Sequence, residues 1–280
     1  MSDPGLRSFI LNALAEDTGS GDHSSIASIT PSVTGRARLL VKESGIIAGL
    51  GIAREIFSIT DPSLETVLLL KDGNSVKQGD IALTVAGSVH SILRAERLVL
   101  NVMQRMSGIA TATATYVERV SGTRAHITDT RKTTPGMRAL EKEAVRLGGG
   151  VNHRMGLYDM IMLKDNHIDY AGGITAAVRR TQEYLIRQNL PLRIEVESRN
   201  LDEVREILAV GGVDRIMLDN FDIPSTREAV ELIGGRAETE SSGGITLANV
   251  REYALCGVDY ISIGALTHHI KSLDMSLKAY

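Results

Sequence analysis

The sequence predicts an α/β protein, and three observations lead there. After Gly122, apolar strand-like runs recur, each ending in polar or small residues: A-H-I-T-D-T-R-K, M-I-M-L-K-D, R-I-E-V-E-S-R, R-I-M-L-D-N, A-E-T-E-S-S-G-G and Y-I-S-I-G-A. Helical segments such as A-G-G-I-T-A-A-V-R-R-T-Q-E-Y-L, N-L-D-E-V-R-E-I-L and T-L-A-N-V-R-E-Y-A-L lie between them, which makes a βα repeat with parallel strands. Before the repeat, from Gly35 onward, short apolar runs alternate with D-G and G-D turns, the pattern of a compact β-rich unit. Six strand runs leave a closed eight-stranded barrel in doubt. A doubly wound open sheet is the alternative, although no G-x-G-x-x-G follows a strand.

In chain order, residues 5–16 (G-L-R-S-F-I-L-N-A-L-A-E) have apolar spacing near that of a helix. The D-T-G-S-G-D-H-S that follows reads as a polar loop whose acids cap or turn the chain. Strands are expected at A-R-L-L-V-K-E-S, I-I-A-G-L, E-T-V-L-L-L and I-A-L-T-V-A-G, with a helix at A-R-E-I-F-S-I. Residues 91–120 read as one long helix or two consecutive ones, with Leu93, Leu98, Leu100, Val102, Met103 and Met106 as the apolar stripe and Arg97 off it.

A chain of 280 residues can be one large barrel or two domains. No apolar run reaches the roughly 18 residues of a membrane helix. The opening M-S-D-P-G-L-R lacks a basic segment followed by an apolar one, so secretion is not expected. The single Cys256, in A-L-C-G-V, suits a reducing cytoplasm and reads as a buried small hydrophobe. A net charge of −3, no Trp and three Phe argue against a nucleic-acid surface.

Against that acidic background, Arg124 to Lys164 holds eight Lys or Arg residues and four Asp or Glu. Glu141, Lys142, Glu143 and Arg146 read as an ordinary solvated helix face. Arg131, Lys132, His153, Arg154 and Lys164 stand beside Gly, Pro and Asn at element ends, where they suit a small polyanion. Glu195 and Glu197 alternate around Val196 and face one side of a strand; Asp219 ends the next, and Glu240 lies near the end of the one after. Oxygen ligands on neighbouring strands, with a phosphorylated substrate, are how Mg²⁺ is commonly held. The alternative is that these acids only neutralise Arg131, Arg154 and Lys164. Lys164 itself reads either as a charged anion binder or as a Schiff-base nucleophile. The small residues of S-S-G-G (241–244) and I-G-A (263–265) let backbone amides approach an anion.

The motifs R-K-T-T-P-G-M-R, G-G-G-V-N-H-R-M-G-L and L-K-D-N-H-I, in that order, resemble the quinolinate phosphoribosyltransferases, and the likeness runs from about Ala15 to His268. The resemblance implies an irregular, incomplete α/β barrel at 109–268, an N-terminal α/β domain at 1–108 and a tail, 269–280, that rejoins it. It implies the joining of quinolinate to 5-phosphoribosyl-1-pyrophosphate with loss of CO₂, with Mg²⁺ as cofactor and a cytoplasmic homodimer or dimer-based hexamer. Substrate contacts would come from Thr130, Arg131, Lys132, His153, Arg154 and Lys164. Glu197 and Asp219 would join them and hold the metal, with Lys132, Lys164, Glu197 and Asp219 as the catalytic set. The turns Ser242, Gly243, Gly244 and Ile263, Gly264, Ala265 would hold phosphate, and Arg97 would be donated by the partner. The family's G-A-L-T-H-S reads G-A-L-T-H-H here, a change at His269 expected to be peripheral. A molybdate-transport paralogue, a Schiff-base lyase and a non-catalytic anion-binding protein are the competing readings.

Overall fold

A computed structural model describes residues 4–280; Met1–Asp3, where the run read for a leader begins, lie outside the described residues. The chain divides into two compact units. The first contains the chain up to Ala114, Thr134–Gly149 and His269–Tyr280; the second contains Thr115–Thr133 and Gly150–His268.

The first unit begins with α1 (Pro4–Thr18) and α2 (His23–Ser28). Asp22, in the polar loop, caps α2 by accepting the Ser25 N–H at 3.1 Å. Then come β1 (Thr34–Val41), β2 (Gly45–Ile46), α3 (Leu50–Thr60), β3 (Glu65–Leu68), β4 (Ser75–Val76), β5 (Ile81–Ser88) and α4 (Val89–Arg119). Alternation buries Ala37, Leu39 and Val41 of β1 on one face, and α3 buries Ala53, Ile56 and Phe57. The antiparallel sheet has the order β12-β1-β5-β3, where β12 (Met275–Ala279) brings the tail beside β1 with Leu277 opposite Leu39. β2 pairs with β4.

Two expectations change here. The helix α4 is a single long helix that runs unbroken through residue 108, and the compact units divide after Ala114. Leu93, assigned to that stripe, is 38% exposed, while Val102, Met103 and Met106 are buried. The second change concerns α5 (Arg138–Leu147), which belongs to the first unit and is no solvated helix face. Glu141 and Lys142 are completely buried. Arg105 on α4 donates to Glu141 through Nε at 2.7 Å and to the Thr134 hydroxyl at 2.7 Å, and Glu141 also accepts the Thr134 N–H. Only Glu143 and Arg146 form the exposed pair that the spacing predicts.

The second unit starts from β6 (His126–Thr128) and continues with β7 (Ile161–Leu163), α6 (Asp165–Ala171), α7 (Ile174–Gln188), β8 (Ile194–Ser198), α8 (Leu201–Val210), β9 (Arg215–Asp219), α9 (Ile223–Ile233), β10 (Glu238–Ser242), α10 (Val250–Leu255), β11 (Tyr260–Ser262) and α11 (Ala265–His268). Each expected strand run contains one strand, and all six lie parallel in the order β6-β11-β10-β9-β8-β7. β6 and β7 do not pair, so the barrel is incomplete; a bridge from Thr128 to Val151 extends the β6 edge. Leu163, Ile194, Val196, Ile216 and Leu218 face outward and pack with Val178 of α7, Val204 and Ile207 of α8, and Ala229 and Ile233 of α9. The alternate residues therefore face the barrel interior, and they are mostly polar. Cys256 is buried, its thiol pKa raised by that burial. Among the described residues no helix is long and apolar enough to cross a membrane.

Candidate active site

A cleft of about 850 Å³ opens in the second unit at the C-terminal ends of the strands, where barrel sites are built. Each strand end contributes a different group. Asp129, just past β6, accepts the His153 N–H at 2.9 Å and the Asn152 side chain at 2.6 Å, which hangs V-N-H-R beside Thr130, Arg131 and Lys132. Lys164 follows β7, and its Nζ lies 3.4 Å from Glu197 Oε2 on β8. His167 of K-D-N-H accepts the Lys164 backbone N–H at 3.0 Å, so it starts a helix and does not face a ligand.

Charge is arranged in three levels. At the mouth stand Lys164, Glu197 and Asp219. Burial raises the Glu197 pKa and so does repulsion from Asp219, while Lys164 opposes the rise. A cation between these two carboxylates would relieve that repulsion, and their oxygen donors suit Mg²⁺. Lys164 is half-exposed and paired with Glu197, whereas a Schiff-base lysine is commonly set in a desolvated pocket.

Deeper in the cleft are Arg131 and Arg154. Arg131 Nε is buried without a hydrogen-bond partner. Burial and then the Arg131 charge lower the Arg154 pKa, so the two guanidiniums repel each other. Arg131 and Lys132 form no ion pair among the described residues. Such a pocket favours a compact polyanion.

Below them, burial pushes the carboxyls of Glu195 and Glu240 up to about 7. Arg215 donates to Glu240 at 2.9 Å and to Glu238 at 3.0 Å, and lies over the Tyr260 ring at 3.7 Å. At the last two strands the chain turns on small residues. Gly243 has φ +91 and lies against Asn220, whose side chain donates to Asp219 at 2.7 Å.

The cleft thus gathers Thr130, Arg131, Lys132, His153, Arg154, Lys164, Glu197, Asp219, Ser242, Gly243, Gly244, Gly264 and Ala265. It does not gather Ile263, whose side chain is buried in the core while its N–H is spent on Thr128. Arg97 is exposed on α4 and is not among the lining residues. His153 lines the cleft; its Nδ1 accepts the Arg154 N–H at 2.8 Å, and its Nε2 lies 3.0 Å from Glu195 Oε2. The sequence reading did not single out Asn220 or Ser262, and it placed Glu240 only among the acids that could ligate a cation or neutralise the basic residues. Glu240 had a signal: it stands two residues before Ser242, as Glu195 stands before Glu197.

Comparison with known proteins agrees with this geometry. The family models of quinolinate phosphoribosyl transferase match twice, the N-terminal domain at residues 22–107 and the C-terminal domain at 109–278. The chloroplastic nicotinate-nucleotide pyrophosphorylase (carboxylating) of Arabidopsis thaliana is 48% identical, over 98% of this chain and 82% of its own. The probable nicotinate-nucleotide pyrophosphorylase of Synechocystis is 45% identical, over 99% and 92%. Among solved structures, NadC from Streptococcus pyogenes superposes with a TM-score of 0.93 at 39% identity, covering 100% of this chain and 99% of that one. The chain belongs to the quinolinate phosphoribosyltransferase family.

Proposed function

We propose that the cleft joins quinolinate to 5-phosphoribosyl-1-pyrophosphate, releasing pyrophosphate and CO₂ and leaving nicotinate mononucleotide. The observation that carries this reading is the pair of mutually repelling guanidiniums, Arg131 and Arg154, with a buried Arg131 N–H that has no partner. A pyridine dicarboxylate supplies two anionic groups to that pair and to Lys132. Lys164 and the Ser242–Gly244 turn, at the other strand ends, hold phosphate. Glu197 and Asp219 would hold Mg²⁺, which would supply positive charge to the leaving pyrophosphate.

Departure of pyrophosphate leaves an oxocarbenium-like ribosyl carbon, and the pyridine nitrogen attacks it. Fixed charges already in place stabilise the charge that develops. The new pyridinium draws electrons from C2, so the C2 carboxylate leaves as CO₂. The electron pair left at C2 takes up a proton, and no residue need act as nucleophile. Arg97, exposed on its helix, serves the cleft of a second copy in a homodimer, or a hexamer of such dimers.

The test is purified protein with quinolinate, phosphoribosyl pyrophosphate and Mg²⁺. Nicotinate mononucleotide and CO₂ should appear in equal amounts, and their absence with active controls would remove the reading. Mixing inactive Arg97→Ala and Lys164→Ala proteins should restore partial activity if Arg97 crosses to a partner; no restoration would confine it to its own chain.

A further inference from the structure

Asp219 and the Ser242–Gly244 turn stand at the ends of neighbouring strands, β9 and β10, and one residue touches both. Asn220 donates from Nδ2 to Asp219 Oδ2 at 2.7 Å, and its backbone N–H donates to the Ser242 carbonyl at 2.8 Å. Its own Oδ1 fills the space that a side chain at Gly243 would occupy. The Asn220 backbone is left-handed, with φ +55. Among the described residues Asn189 is the other non-glycine residue with positive φ, and it ends α7, a common place for asparagine. Asn220 follows a strand instead. A glycine would take that backbone with less strain, so the conformation alone does not call for an amide; the contacts of the amide do. The far side of the segment is pinned. The Phe221 carbonyl accepts the Tyr253 hydroxyl at 2.9 Å, and Asp222 caps α9 by accepting the Ser225 N–H at 2.8 Å.

We propose that Asn220 is a positioning residue that ties the Asp219 carboxylate to the Ser242–Gly244 turn, so that a divalent cation and the phosphate group it accompanies bind more tightly together than separately. This rests on the reading of the cleft given above, in which Asp219 meets the cation and the turn meets phosphate. The amide N–H beside Asp219 Oδ2 repels positive charge and so directs a cation to Oδ1. A phosphate seated on the turn fixes Gly243, Gly243 fixes the amide packed against it, and the amide fixes the carboxylate. Order imposed at one end is then already present when the second ligand reaches the other, which is positive coupling. The groups assigned to the pyridine dicarboxylate, Arg131, Lys132 and Arg154, belong to other segments, so the coupling concerns one substrate and spares the other.

Calorimetric titration of inorganic pyrophosphate into wild-type protein and Asn220→Gly, with and without Mg²⁺, tests this. Glycine accepts the left-handed backbone, so the variant should keep its fold and its melting temperature. With Mg²⁺ it should bind pyrophosphate about 10-fold more weakly than the wild type, and without Mg²⁺ within about threefold of it. In turnover at fixed Mg²⁺ the KM for phosphoribosyl pyrophosphate should rise about 10-fold while the KM for quinolinate stays within about threefold. A variant that matches the wild type with Mg²⁺ overturns the proposal. Equal weakening with and without Mg²⁺ does the same, since it would assign Asn220 to the turn alone, as does a shared rise in both KM values. If wild-type protein makes no nicotinate mononucleotide, the reading of the cleft falls, and the titrations still decide whether Asn220 links the cation to the phosphate.

Discussion

The two faces of the six-stranded sheet follow opposite rules. Outward, Leu163, Ile194, Val196, Ile216 and Leu218 lie against helices in a dry aliphatic layer. Inward, the same strands and their ends present Lys164, Glu195, Glu197, Arg215, Asp219 and Glu240. Each buried aliphatic side chain stabilises the fold by about 1.5–3 kcal/mol, whereas each buried charge costs free energy until it is paired. Stability therefore comes from the helix side, and the interior is free to hold ionised groups. Because alternation has period two, a slip of one residue in any strand would exchange the layers.

The sharpest test of this division is Arg131→Ala. It should lower kcat/KM by about 10²–10³-fold with little change in melting temperature; a matching loss of stability would mean the cleft also holds the fold together. Next is Ile216→Ala, on the outer face and fully buried. It should cost about 3 kcal/mol in urea unfolding while the activity of the folded fraction stays at the wild-type level.

Glu240→Gln probes the boundary between the layers. The folded carboxyl titrates at about 7, above its ordinary value of 4.5, so the unfolded chain releases this proton more readily. The wild-type protein therefore loses stability as pH rises from 4.5 to 7. The glutamine variant lacks that loss and should be more stable by about 1–3 kcal/mol above pH ~7, with the gap closing below pH ~5. Unfolding curves at the two pH values measure it, and a gap independent of pH would assign the effect to packing. Smallest is Asn200→Ala, which removes the side chain that caps α8 by accepting the Glu203 N–H at 3.0 Å. Its cost should be about 1 kcal/mol in the same measurement, without effect on turnover.

The strands were legible because each run is short, apolar and ends in a functional group, which few other arrangements would produce. Arg131, Lys132, Arg154 and Lys164 were legible because charge beside glycine and asparagine has no helix face to explain it. The direction of the His153 ring was not. Its Nδ1 meets a backbone N–H one residue away, and its Nε2 lies near carboxyls more than forty positions later in the chain. Nor was the burial of Glu141 and Lys142, whose spacing is that of a surface helix; Arg105, which turns Glu141 into an interior ion pair, comes from another helix. Ile263 illustrates a third limit. A motif marks a turn but does not say which of its residues faces the ligand and which faces the core.

Gly243 has a practical consequence for anyone who would retarget the cleft to a different acid. A Cβ at that position would sit 2.6 Å from Asn220 Cγ and 3.0 Å from its backbone nitrogen, on a backbone conformation that L side chains rarely adopt. Mutant libraries that include this turn would spend most of their members on chains that cannot close it. Met162 and Met217 also line the cleft, from the middle of their strands, and their unbranched side chains accept changes of shape. Diversity placed there reshapes the ligand volume and leaves the turn intact.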